Sequence, residues 1–187
     1  MARFFGNLHL VLLAGVLLTL AVIYGIGPNG DGVQAALRWL HAFFGILWVG
    51  LLYYLNFVQV PTMPKVPAEL KPGIARYIAP SVLFFFRWGA VLTVLTGLIV
   101  AWLAGYVHQA LLLAVPYQLI GLGMWLALVM AGNVWFVIWP CQKKVLGLVV
   151  ADDAAKARAA TTALMFSRTN LLLSFPMLYC MVNFNGG

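Results

Sequence analysis

The stretch from Arg38 to Pro61, RWLHAFFGILWVGLLYYLNFVQVP, constrains the fold more than any other part of the chain. It is an almost unbroken apolar run, aromatic along its length, with one histidine near its start and Asn56 and Gln59 at its end. A helix rises about 1.5 Å per residue, so the run is long enough to cross a hydrocarbon core of about 30 Å. No strand of a soluble domain has this length and character. The rest of the chain supplies it with company of the same kind. Of 187 residues, 64% are hydrophobic and 8% charged, whereas soluble domains carry roughly a quarter charged residues. Such a chain cannot hide its apolar surface from water, and the solvent it implies is lipid.

Reading in order, we expect an all-α, polytopic membrane helix bundle of one domain over residues 1–187, with five transmembrane helices. The predicted spans are 8–26, 36–58, 81–104, 111–139 and 161–182. The turn signal GPNGDG separates the first two, and Pro61, Pro64 and Pro67 mark the end of the second. The segment from Pro61 to Pro80 is expected to be a non-helical connection with a short turn near residues 74–78. Gly89, Thr93 and Gly97 make a small-residue ridge along span three, suited to close helix packing. Span four is longer than it needs to be, with either a kink at Pro116 or a short interfacial piece ahead of it expected at its start, and Pro140 as its end. Asp152 or Asp153 is placed to cap the last helix. The start reads as a first span and not as a cleaved signal, because no A-x-A-like site follows it.

Charge sets the orientation. With five spans, Arg3, Lys65, Lys71, Arg76, Lys143, Lys144, Lys156 and Arg158 share one side, and the other side holds only Arg38. Basic loops stay in the cytoplasm. The N-terminus is therefore expected to be cytoplasmic and the C-terminus outside, in a multi-pass membrane protein. The same rule accounts for the net charge of +7 without a nucleic-acid partner. Lipids and other membrane subunits are the expected partners. Cys141 and Cys180 fall near opposite faces of the membrane, out of disulfide reach.

Two groups of residues can carry chemistry. His41, Gly45 and Trp48 share one helical face at spacings of four and three. A histidine with a glycine one turn away suits an axial haem ligand with a flat macrocycle against the glycine. It suits equally a histidine hydrogen-bonded within the bundle, and the spacing leaves both open. His108 and Met177 are the candidates for a second axial ligand. The other group is polar: Asn56, Gln59, Arg87, Asn133, Gln142, Arg168 and Asn170 come from several spans at comparable depth in the cytoplasmic half. No carboxylate lies in any span to neutralise the two arginines, so they snorkel, meet carbonyls, or bind an anion or lipid. Walker, G-x-S-x-G, H-E-x-x-H and C-x-x-C-H patterns are absent, and the acidic residues all fall in loops, which excludes paired-carboxylate catalysis inside the membrane.

Four motifs then resemble one family. RWLHAFFGILWVGLLYY, FRWGAVLTVLTG, NVWFVIWPCQKKV and SRTNLLLSFPMLYCMV resemble, in the same order, the motifs of the N-terminal membrane domain of bacterial membrane-bound, cytochrome c-linked urate oxidases. More distantly, the second span resembles the haem-associated membrane protoporphyrinogen oxidases. His41, Asn133, Gln142 and Asn170 carry over. Phe84, Gly89 and Thr169 stand where the family has His, Glu and His, and Arg87 stands for its Lys. Longer members continue into a cytochrome c domain that these 187 residues do not include, so the resemblance implies a separate cytochrome c as partner. The departures make a non-catalytic or accessory subunit of a larger redox or respiratory-type complex the expected function, and an enzyme acting alone is not expected. The alternative is an electron-transfer protein binding haem b through His41. The second alternative is an oxidoreductase acting on urate.

Overall fold

The structure, a computed structural model, describes residues 2–27 and 32–184. Of the turn signal expected at 27–32, residues 28–31 lie outside the described residues. Among those described there is no strand. After a single turn at Ala2–Phe5, six helices follow: α1 (Leu8–Gly25), α2 (Gly32–Lys65), α3 (Lys71–Leu103), a short α4 (Val107–Leu111), α5 (Gln118–Val145) and α6 (Asp153–Val182). Four of them, α1, α2, α3 and α5, are long and apolar enough to cross a membrane. The 30-residue α6 is long enough but more polar, since Arg168, Asn170 and Ser174 lie within it.

Three of these helices run through prolines that the sequence reading took for boundaries. Pro61 lies inside α2, Pro80 inside α3 and Pro140 inside α5. Each follows a π-helical segment, Tyr54–Gln59, Ile74–Ile78 or Asn133–Ile138. The residue before each proline closes a wide turn: Val60 N–H donates to Leu55 O, Ala79 N–H to Ile74 O and Trp139 N–H to Val134 O. A proline in an α-helix lacks its N–H and collides with the carbonyl four residues back. Opening the preceding turn to five residues makes room for the ring and lets the helix continue. The connection between α2 and α3 accordingly shrinks to residues 66–70. Span four begins at Gln118, and its predicted start at residue 111 belongs to the separate α4. Asp152 is the α6 cap, its carboxylate accepting from Ala155 N at 2.6 Å. Gly105 and Gly147, with φ of 79° and 74°, turn the chain away after α3 and α5, as glycine does beyond helix ends.

The bundle is built from two antiparallel pairs, α2 with α3 and α5 with α6. Small residues set the register of the first pair. A Cβ at Gly89 would sit 3.4 Å from Trp48 Cβ, and one at Gly45 3.8 Å from Thr93 Cγ2. In the second pair a Cβ at Gly123 would come within 2.8 Å of Cys180 Cβ. Lipid removes the hydrophobic drive between helices, so close approach through small residues and buried polar bonds hold such pairs together. Trp48, Leu52, Phe86, Met130 and Val134 fill the half towards the Lys143 end. Ala101, Ala110, Ile120 and Met124 form a smaller cluster at the other end. α1 buries none of its residues and has α2 as its main neighbour.

Candidate functional site

Between the two pairs lies a cavity of about 860 Å³, lined by α2, α3, α5 and α6 and capped by the 104–117 segment and Phe184. This is the size of a cofactor site, and its walls are mainly apolar with a few polar groups. His41 projects into it from α2. Its Nδ1 lies 2.9 Å from Thr93 O. A carbonyl only accepts, so Nδ1 carries the proton and Nε2 keeps its lone pair. Among the described residues Nε2 has no hydrogen-bond partner. Thr96 Oγ1, at 3.5 Å from Nδ1, is too far to compete and donates instead to Leu92 O at 2.6 Å.

Gly97 makes this placement sterically feasible. A Cβ there would stand 2.7 Å from His41 Cε1 and 2.9 Å from Nδ1, so the imidazole lies directly on a glycine surface. Gly45, one turn along α2, leaves the wall flat beside the ring. Trp48 is 1% exposed, and its Nε1–H has no partner. The cavity thus offers one free acceptor on His41. Opposite, Met124 from α5 and Met177 and Met181 from α6 bring thioethers to the wall. The floor is tied by Tyr53, whose hydroxyl is 3.1 Å from Ser174 Oγ. Ser174 spends its own proton on Leu171 O at 2.7 Å, so Tyr53 is the donor. At the mouth Tyr106 and Tyr117 stack with centroids 5.2 Å apart, Phe184 meets Tyr106 edge-on at 5.2 Å, and Arg38 supplies the positive charge. Burial pushes the Tyr106 hydroxyl above its ordinary range, against the opposing pull of Arg38.

Of the residues singled out by spacing, His41, Gly45, Trp48 and Met177 line one cavity. His108 does not: it is exposed on α4 and forms no part of the wall. Thr93, Gly97, Tyr53 and Ser174 belong to the site, and sequence reasoning did not place them there. The small-residue spacing of Gly89, Thr93 and Gly97 was the only signal for two of them. Among the described residues no three His, Cys, Asp or Glu side chains gather as a metal site.

The polar residues of the other half separate into three places. Asn56, 1% exposed, donates to Leu52 O and to Ser167 Oγ, both at 2.9 Å. Asn133 donates to Asn170 Oδ1 at 2.9 Å, and Asn170 donates to Met130 O at 3.0 Å. These bonds tie α2 and α5 to α6. Both Asn56 and Asn133 sit in π segments, as functional or strained positions often do. Gln59 Oε1 is enclosed without a partner. Arg168 points away, exposed on the outer face of α6 beside Leu164 and Leu172. Arg87 lies against Trp139 of α5, and Gln142 is half-buried one turn further on.

Among the described residues, the fold and cavity therefore define an all-helical protein with four helices long and apolar enough to cross a membrane, around an internal ligand-sized space. Residues 117–185, a little over a third of the chain, match the family described as Urate oxidase N-terminal. That stretch covers α5 and α6 with Asn133, Gln142, Asn170 and Met177, and it confirms the resemblance of this part of the chain to that domain. His41 lies outside it. No curated protein and no solved structure matches the chain.

Proposed function

We propose that the chain is a multi-pass membrane subunit that binds one b-type haem in the central cavity, with His41 Nε2 as the iron ligand. The observation that carries this reading is the fixed tautomer of His41: Nδ1 is spent on Thr93 O, and Nε2 faces a cavity of cofactor size. Metal-bound histidines almost always donate their other nitrogen to a carbonyl, carboxylate or water, which orients the ring and raises its basicity. Gly97 and Gly45 leave room for the ring and for a flat group beside it. Met177 offers a soft sulfur from the opposite wall, and Arg38 at the mouth offers charge for a carboxylate. Bound haem supplies one-electron chemistry; the chain holds it, excludes water and shapes its surroundings. In this reading α6 is the fifth span, the N-terminus is cytoplasmic and the C-terminus outside, in the bacterial inner membrane. Other membrane subunits or a separate cytochrome c are the partners with which such a haem would exchange electrons.

The test is a titration of the detergent-purified protein with hemin. A Soret band that saturates at one haem per chain, and is lost in His41→Ala, supports the reading. A protein that stays colourless and co-purifies with a larger complex supports a purely accessory subunit instead. Among the described residues the cavity wall carries no second imidazole, which favours that second reading. A urate-oxidising role rests on the family match over 117–185 and is checked by urate-dependent reduction of added cytochrome c.

A further inference from the structure

A second site lies between α3 and α5, at the end of the bundle that carries Lys143 and Lys144. Arg87 stacks its guanidinium on the Trp139 indole, Cζ lying 3.2 Å from the ring centroid, and has Trp135 at 5.9 Å. Lys143, one turn beyond Trp139 on α5, brings its Nζ to 6.0 Å from the same ring. One indole thus gathers two cations. Among the described residues no carboxylate, Glu69 included, pairs with either cation. Arg87 Nε and Nη1 are enclosed without any hydrogen-bond partner. Asp152 is spent on the α6 cap, and Asp153 pairs with Lys156 at 3.7 Å. A charge enclosed in this way is costly unless an opposite charge meets it. Around the pair the surface is aromatic and apolar: Trp88 is 44% and Phe136 82% exposed, and Trp88 packs edge-on to Trp135 at 5.7 Å. Tryptophans so placed sit at headgroup level, with the apolar face towards acyl chains.

We infer that Arg87, Lys143 and the Trp139 ring form a binding site for a phosphate group, separate from the His41 cavity. Trp139 holds the guanidinium in place, Trp135 Nε1 donates to Arg87 O at 3.3 Å and ties α5 to α3 there, and Arg87 Nη2, the guanidinium nitrogen that is not enclosed, together with Lys143 takes the phosphate oxygens. Charge-assisted contacts from two cations to one phosphate are the strong kind. The phosphate comes from a phospholipid headgroup of the adjacent leaflet or from a soluble phosphate.

The experiment uses the full chain, delipidated in a neutral detergent. Native mass spectrometry counts adducts with phosphatidylglycerol, with diacylglycerol of the same chains and with inorganic phosphate. The expected result is one phosphatidylglycerol per chain, held about tenfold more weakly by Lys143→Gln and by Arg87→Lys, which keeps the charge but loses the planar stack. Inorganic phosphate bound as tightly, with the same dependence on the two variants, assigns the site to a soluble phosphate. Equal retention of diacylglycerol and phosphatidylglycerol, or phosphate binding unmoved by either variant, overturns the proposal. Lys143 is near the end of its helix, so its variant keeps the test open if changes at Arg87 impair folding.

Discussion

Replacing Gly97 with alanine should couple to His41 and to little else. A Cβ at 97 would lie 2.7 Å from His41 Cε1, and ordinary contact begins near 3.4 Å, so the ring must retreat by about 0.7 Å. Thr93 O and Gly97 sit one turn apart on the same face of α3, so that retreat also stretches the 2.9 Å bond from Nδ1 beyond useful length. Overpacking costs about 1–3 kcal/mol, and leaving the Nδ1–H unmet adds about 1 kcal/mol or more. We expect Gly97→Ala to lower stability by about 2–4 kcal/mol. In a His41→Ala background the three nearest obstructing atoms, all of the imidazole, are gone, and the same change should cost less than about 1 kcal/mol. Unfolding of the four proteins in detergent gives the coupling energy, expected at about 1.5–3 kcal/mol. Additivity within about 0.5 kcal/mol would refute the seating of the imidazole on Gly97. With His41 in place, the ring displaced by Gly97→Ala should also weaken haem binding by about 10–100-fold.

Asn170→Leu leaves the half-buried Asn133 Nδ2 without its partner and takes one donor from Met130 O, which keeps the Asn133 N–H, and should lower stability by about 1–2 kcal/mol in the same unfolding assay; Thr169→Leu, on an exposed position, should not. Tyr106 gives an alkaline signature. Burial holds its hydroxyl above the ordinary 10.0, so the unfolded chain releases this proton first. The stability it preserves is complete below about pH 10 and is lost as pH rises through the higher folded value. Tyr106→Phe should flatten the loss of melting temperature above pH 10; an unchanged slope would show that another group is responsible.

The apolar runs announced the helices, and the reason is simple: a helix that must satisfy every backbone group in lipid leaves a long apolar signature. The prolines misled for an equally physical reason. Pro61 and Pro140 break α-geometry, but a wide turn just before them absorbs the break, and nothing in the spacing of YLNFVQ or NVWFVI distinguishes five-residue turns from four. His41, Gly45 and Trp48 were legible as one face because all three lie on one helix. Thr93 and Gly97 were visible only as a packing ridge, since the role of that ridge as a seat for the imidazole depends on the register between α2 and α3. His108 seemed available at the right level, yet α4 presents it outwards. The polar layer shows the same boundary: depth can be counted along a helix, whereas the direction of Arg168, away from Asn56 and Asn133, is a matter of how α6 is rotated in the bundle.

The central claim is that the imidazole at position 41, through Nε2, is what holds a haem in the cavity. Chemical rescue tests this most directly. His41→Gly, titrated with hemin, should show no saturable Soret band, and added imidazole should restore a one-to-one band close to that of wild type. A wild-type spectrum in His41→Gly without imidazole, or no stoichiometric haem binding by the unaltered protein, would contradict the account.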